Sequence, residues 1–168
     1  TKNRAYRIVL GILVVLAPTF LLIYRYERDD GFLNIYILDI GQGDSIYVRT
    51  PSGHDMLVDG GPSALVLQKL SEVMPFYDRS IDVVIETHPD ADHIGGLVDV
   101  LTRYHVGVFL EPGIKSHNAI DEKLEQLRKQ KGIEGIHVRR GLVIDFRDGV
   151  YFKALFPDRD VKHFKETN

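Results

Sequence analysis

The sequence contains no cysteine, which excludes disulfide scaffolds, zinc ribbons and thiol nucleophiles. It also lacks internal repeats and low-complexity stretches. Hydrophobic residues make up 44% of the 168 residues and charged residues 27%, so wholesale disorder is excluded. The length suits one domain of ordinary size rather than two.

The net charge of −3 is small and unevenly distributed. Residues 1–28 carry five basic side chains and one acidic side chain (5 − 1 = +4), whereas the remainder carries 16 basic and 23 acidic (16 − 23 = −7). An acidic body does not favour strong non-specific binding to nucleic acid. A local basic groove is still compatible with this charge, and its candidates are Arg139, Arg140, Arg147 and Lys153.

The N-terminal region has the composition of a membrane segment. Residues 8–24 are uncharged, and 17 residues are close to the lower limit for crossing a bilayer. Tyr6, Tyr24 and Tyr26 flank this run, as interfacial aromatic residues do. We expect residues 1–30 to form an anchor with one transmembrane helix over residues 8–24. A buried core helix and a cleaved signal peptide are the alternatives, and the length of the run favours the anchor over both.

The balance of basic residues predicts the orientation of this anchor. Three basic residues precede the apolar run and two follow it, among acidic residues. Basic residues favour the cytoplasmic side of a membrane, so we expect a cytoplasmic N-terminus and residues 31–168 on the other side.

The remaining sequence alternates strand and helix patterns. Apolar runs separated by the turns at 41–44 and 51–53 predict an antiparallel meander of three strands, at 33–38, 45–49 and 55–58. Helical patterns cover 65–73, 94–104 and 116–131, and further strands are predicted at 81–85, 106–110, 136–138, 142–146 and 150–156. This order predicts an α/β (α+β) fold, with a mixed sheet and helices packed outside it.

The segment after the strand at 81–85 carries the chemistry. Its four potential metal ligands, His88, Asp90, Asp92 and His93, fall within six residues. Imidazole and carboxylate ligands without thiolate suit zinc, manganese or iron, and this density suits two neighbouring ions better than one. The alternative is that the two aspartates cap the following helix and the histidines lie on the surface.

These residues resemble a known family. The segment HPDADH at 88–93 is similar to the HxHxDH signature of metallo-β-lactamase-fold hydrolases, with Asp90 in place of the second histidine. With LDIGQGDSIYV at 38–48 and MLVDGG at 56–61, the chain resembles the C-terminal metallo-hydrolase domain of the ComEC family of DNA-internalisation competence proteins. The resemblance extends from Phe32 to about Pro157. It implies an αββα sandwich that acts as a metal-dependent phosphodiesterase or nuclease on extracellular DNA. It also implies that the protein is located at the cell membrane of a bacterium.

The resemblance also implies roles for individual residues. His88 and Asp90 would bind a first divalent ion, and Asp92 and His93 a second; both ions are expected to be zinc, or else manganese. Asp92 would also act in catalysis by receiving a proton. Asp59 would lie beneath the site and orient a ligand by hydrogen bonding. Gln42 and Asp44 are expected to serve the turn that contains them.

Two departures from the family pattern affect this interpretation. A bridging aspartate in a TGD-like segment and a later histidine are not found, so the chain is expected to hold the N-terminal part of an incomplete domain. Family members also commonly have many membrane spans, and one is seen here. The other histidines are expected on the surface, namely His54, His105, His117, His137 and His163.

Two other functions stay open. The first is a hydrolase of the same fold that acts on small esters, thioesters or lactams. The second is a non-catalytic, membrane-anchored module of the DNA-uptake apparatus, with other uptake proteins as partners.

Overall fold

A computed structural model describes residues 2–28, 31–114, 116 and 118–161, with backbone alone for residues 2 and 24–28. The helices are α1 (Lys2–Arg28), α2 (Leu65–Val73), α3 (Ala91–Arg103) and α4 (Ala119–Gln130). The strands are β1 (Asn34–Ile37), β2 (Ile46–Arg49), β3 (Asp55–Val58), β4 (Ser80–Ile85), β5 (His105–Glu111), β6 (Gly135–His137), β7 (Val143–Asp145) and β8 (Tyr151–Lys153).

Helix α1 is long and apolar enough to cross a membrane. Its candidate span, Asn3–Ile23, has 21 residues, none of them buried against the rest of the protein. At 1.5 Å per residue this span is about 32 Å long, which matches the hydrocarbon thickness of a bilayer. The predicted apolar helix is therefore confirmed, whereas the side chains of Tyr24 and Tyr26 lie outside the described residues.

Six strands form the central sheet in the order β1-β2-β3-β4-β5-β6. The first three pair antiparallel, as the predicted meander requires, because short turns connect them. From β3 to β6 each neighbouring pair is parallel. Parallel neighbours need a crossover connection, and α2, α3 and α4 supply the three that are needed. The mixed sheet expected from the sequence is thus confirmed.

Apolar side chains cover both faces of this sheet. On one face α2, α3 and α4 pack against the strands, around buried residues that include Leu57, Val84, Leu97, Phe109 and Leu124. On the other face the hairpin β7-β8 covers a smaller cluster, to which it adds Phe146 and Ala154. The described residues therefore stack as helices, sheet and second sheet, in agreement with the predicted metallo-β-lactamase fold class.

Several predicted boundaries were wrong. Helix α3 begins at Ala91 rather than at 94, because the extended Asp90 occupies its N-cap position. Helix α4 begins at Ala119 rather than at 116, because the Asn118 side chain accepts a hydrogen bond from the amide of Asp121. Strand β8 ends at Lys153, short of the predicted 156. In α2 the buried residues are Val66 and Leu70, and Leu65 is exposed.

Three of the remaining histidines and one of the basic groove candidates have described surroundings. His105 and His137 are exposed, and His54 is partly exposed and pairs with Asp82. His117 and His163 lie outside the described residues. Among the groove candidates, Arg139 donates hydrogen bonds to two backbone carbonyl groups and pairs with Asp160, so a structural role accounts for it.

Candidate metal centre

The motif residues meet at the edge of the sheet where β3 and β4 end. Asp59 directly follows β3, and His88 follows β4 after two further residues. Because β3 and β4 are parallel, their carboxyl ends lie side by side. The early start of α3 places Asp92 and His93 in its first turn, over the same edge.

Asp59, His88 and His93 form a potential ligand group. One ligand atom from each residue lies within 4.8 Å of the other two. The Asp59 side chain is 2% exposed, that of His93 13% and that of His88 40%, so the group reaches from the interior to the surface. The two imidazole rings lie against each other, with centroids 3.9 Å apart and planes at 50°.

Hydrogen bonds orient both imidazole rings. Nδ1 of His93 lies 2.9 Å from Oδ2 of Asp59. The Thr87 hydroxyl donates to the same oxygen over 2.6 Å, and its oxygen lies 2.9 Å from Nδ1 of His88. Each Nδ1 therefore faces an acceptor and is assigned the proton, which leaves Nε2 of each ring with its lone pair. This tautomer is the one that a metal ligand needs.

The Asp59 carboxylate is itself held firmly. Its Oδ1 accepts the backbone amide of Thr87 over 2.9 Å, while Oδ2 serves the Thr87 hydroxyl and His93. The backbone of Asp59 has φ of 56°, a left-handed conformation that aspartate tolerates better than most residues. The Asp59 carboxylate therefore orients His93 by hydrogen bonding and also belongs to the potential ligand group.

Asp90 and Asp92 lie at the rim. Oδ2 of Asp90 is 3.3 Å from Nε2 of His88. Asp92 lies outside the group of three, and its Oδ2 is 3.5 Å from the side-chain nitrogen of Gln42. Gln42 was expected to serve the turn, yet the structure brings it to a motif residue. In the structure Asp90 therefore contacts His88, whereas Asp92 contacts the turn at residues 41–44.

Glycines allow the loop after β3 to contact α3 through backbone. A Cβ on Gly96 would lie 2.1 Å from the carbonyl oxygen of Gly60. The amide of Gly60 donates to the carbonyl of His93 over 2.7 Å, and that of Gly96 to the carbonyl of Gly61 over 2.8 Å. These contacts fix the distance between Asp59 and His93, because Gly60 directly follows Asp59 and donates to the carbonyl of His93 itself.

Two residues that the sequence reasoning missed lie directly before the motif. Thr87 links Asp59 to His88, as described above. Glu86 is 4% exposed, and burial raises its pKa to about 8, with Asp121, Glu111 and Asp59 adding to the rise. The signal that was missed is the charged residue Glu86 directly after the apolar strand β4. A charged residue at such a position is buried only where other groups compensate for the loss of water.

The donor atoms suit a divalent metal ion. Two imidazoles and a carboxylate are the ligand set that protein sites offer to zinc and manganese. Two of the three ligands are oriented by hydrogen bonds to their remote nitrogen, as is typical for metal-binding histidines. The residues therefore fit a metal ion, and Asp90 at 3.3 Å from Nε2 of His88 offers a further oxygen.

Comparison with known proteins identifies the superfamily of this chain and one related protein. The sequence profile of the Metallo-beta-lactamase superfamily matches residues 38–164, so the chain belongs to this superfamily. ComE operon protein 3 of Bacillus subtilis (strain 168) is 28% identical over 155 residues, a match that covers 82% of this chain. The chain spans about a fifth of that relative, 20% of its length. Together the two matches confirm the resemblance to the ComEC family.

Proposed function

We propose that this chain is a metal-dependent hydrolase domain that cleaves phosphodiester bonds of DNA. The observation that carries the proposal is the cluster of Asp59, His88 and His93 at the carboxyl edge of the sheet, in a chain of the Metallo-beta-lactamase superfamily. The ComEC resemblance supports DNA as the substrate and DNA uptake as its setting.

The residues divide between two ion positions in this proposal. His88 and Asp90 hold the first, since Nε2 and Oδ2 lie 3.3 Å apart and both carry lone pairs that a cation would satisfy. His93 and Asp92, which share the first turn of α3, hold the second. Asp59 orients His93 from below and is close enough to add an oxygen. Zinc or manganese at these positions would activate water and polarise a phosphoryl oxygen.

Asp92 is the proposed catalytic residue. It is partly exposed at the rim, where its carboxylate meets both solvent and the side chain of Gln42. A carboxylate there can accept a proton from water at Oδ1 while Gln42 holds Oδ2. Gln42 in turn fixes the direction of the carboxylate, because its amide donates to that oxygen.

Activity measurements with paired variants test the enzyme assignment. Asp92→Ala and His93→Ala are each expected to reduce cleavage of single-stranded DNA by roughly 100-fold or more, because each removes a proposed ligand. His54→Ala is the matched control, since His54 pairs with Asp82 away from the cluster, and it is expected to cleave DNA as the wild type does. Activity that survives both site variants would contradict the mechanism.

Measurements of substrate turnover and of bound metal distinguish the proposed function from the two alternatives. Turnover of small esters, thioesters or lactams with no cleavage of DNA would indicate a different hydrolase on this fold. A protein that binds DNA without metal would indicate a non-catalytic module of the uptake apparatus. Our proposal requires bound divalent metal, up to two ions per chain, together with loss of metal in His88→Ala.

We further propose that α1 anchors the domain in a bacterial cell membrane with the domain on the extracytoplasmic side. The apolar span supports the anchor, and the basic residues before it support the direction. Protease added to intact cells should digest the domain, whereas a domain that is cleaved only after lysis would reverse the orientation.

A further inference from the structure

We propose that a cavity at the edge of the sheet opposite the metal cluster binds a phosphate-bearing anion. The cavity has a volume of about 510 Å³ and lies where β4 and β5 begin and where α3 and α4 end. Strand β4 has six residues, so about 20 Å separate this edge from the carboxyl edge. The volume is within the range of small-molecule sites.

Cationic side chains surround this cavity. Arg79, Arg103 and Lys131 line it together with His105, and no carboxylate residue is among the lining residues. None of these four side chains forms an ion pair with a carboxylate in the described part of the chain, although Arg49, Lys69, Arg128 and others do. Three permanent charges therefore face one cavity in a protein whose net charge is −3.

The ends of α3 and α4 offset this charge in part. A helix C-terminus carries roughly −0.5 of an elementary charge, so two helix ends supply about −1 against three cations. Lys131 also donates from Nζ to the carbonyl oxygen of Thr102 over 3.2 Å, and Arg79 from Nη1 to that of Asp78 over 2.8 Å. These are contacts to neutral groups. The helix ends, together with the Asp78 carboxylate that acts on Tyr104, reduce the charge of the three cations but leave the cavity net positive.

The chemistry favours phosphate over other anions. Guanidinium groups present several donors in a fixed plane that matches phosphate oxygens, and a lysine adds a point charge. Gly132 adds open backbone at the cavity, since nothing lies within 4 Å of the position that a Cβ would take. A free phosphate compound and the phosphodiester backbone of a nucleic-acid strand share this chemistry, so the experiment separates the two sources.

Calorimetric titration of the full chain with inorganic pyrophosphate and with the octanucleotide dT8, both in EDTA, tests the proposal. EDTA removes any contribution from the metal cluster, so the outcome does not depend on the proposed enzyme function. The double variant Arg103→Gln, Lys131→Gln should weaken binding about tenfold, since it removes two exposed charge contacts. With dT8, the slope of log affinity against log salt should fall in magnitude by about 1.4.

Matched controls keep this test specific. Lys123→Gln with Arg159→Gln removes the same charge at exposed positions outside the cavity, and should leave affinity near that of the wild type. Because Lys131 also joins α4 to α3, Arg79→Gln serves as a second cavity variant that touches neither helix end, and circular dichroism checks the fold. Pyrophosphate binding would identify a free phosphate ligand, and binding of dT8 without pyrophosphate a strand. No binding of either, or equal weakening by the control pair, would overturn the proposal.

Discussion

Nδ1 of His93 lies 2.9 Å from Oδ2 of Asp59, although the two residues are 34 positions apart in the sequence. The contact joins the end of β3 to the first turn of α3. It assigns the proton of His93 to Nδ1, while the ring of His93 lies against that of His88 with centroids 3.9 Å apart. The chemistry of the proposed centre therefore depends on a residue that lies outside the HPDADH segment.

Replacement of Asp59 by asparagine should weaken metal binding without unfolding the domain. Asparagine tolerates φ of 56°, so the backbone can remain as it is. Its amide can no longer serve the Thr87 amide, the Thr87 hydroxyl and His93 as a carboxylate does. We expect zinc affinity to fall by about 10- to 100-fold in calorimetric titration. Asp99→Asn, on α3, is the control, and wild-type affinity in Asp59→Asn would contradict the role assigned to Asp59.

The hydroxyl of Thr87 should matter more than its methyl group. It donates to Asp59 and accepts from His88, so its removal frees one ring and one carboxylate oxygen. Thr87→Val retains the shape and is expected to lower zinc affinity about tenfold. Thr87→Ser retains the hydroxyl and should bind zinc nearly as the wild type does. Equal affinities of the valine and serine variants would show that the hydrogen bonds contribute nothing.

Much of the fold follows from local sequence patterns. The turns at 41–44 and 51–53 are too short for a crossover connection, so the strands that they join must pair antiparallel. The structure contains this antiparallel meander. The strands after Val58 are separated by helical segments, which requires parallel pairing. The start of α3 was missed, because the early turn at 91–93 contains polar and charged residues and not the apolar spacing on which helix prediction depends.

The candidate site was less accessible from the sequence. The close spacing of His88, Asp90, Asp92 and His93 identified the segment, but spacing does not tell which side chains converge. Asp92 lies outside the group of three and contacts Gln42, which is 50 positions away in the sequence. Thr87 and Glu86 were missed because their roles arise from contacts with residues more than 20 positions away, as with Thr87 and Asp59.

Alanine at Gly96 should destabilise the domain and disturb the metal centre together. The added Cβ would lie 2.1 Å from the carbonyl oxygen of Gly60 and 2.7 Å from that of Ser63, both of which belong to backbone. Overpacking of this kind costs about 1–3 kcal/mol, and relief requires α3 to move away from the loop after β3. We expect a lower unfolding temperature and weaker zinc binding. Gly11→Ala, where nothing lies within 4 Å, is the control, and an unchanged unfolding temperature in Gly96→Ala would refute the close packing.

The buried carboxyl of Asp55 should make the free energy of unfolding fall as pH rises from about 4 to 6. Burial raises the pKa of Asp55 to about 6, although the Tyr47 hydroxyl and Arg49 oppose this rise. In that interval the folded protein keeps a proton that the unfolded chain has released, so stability decreases with pH, by about 3 kcal/mol at most for this group. Glu86, whose pKa burial raises to about 8, acts with the same sign, so a comparison of variants is needed.

Urea unfolding of the wild type and of Asp55→Asn between pH 4 and 7 isolates this contribution. The variant should be less stable overall at neutral pH, because the buried Arg49 loses its ion pair with Asp55. Its free energy of unfolding should nevertheless depend less steeply on pH between 4 and 6, whereas Asp99→Asn should retain the wild-type slope. Parallel curves for wild type and Asp55→Asn would mean that Asp55 is already ionised throughout this range, and that its pairing with Arg49 outweighs its burial.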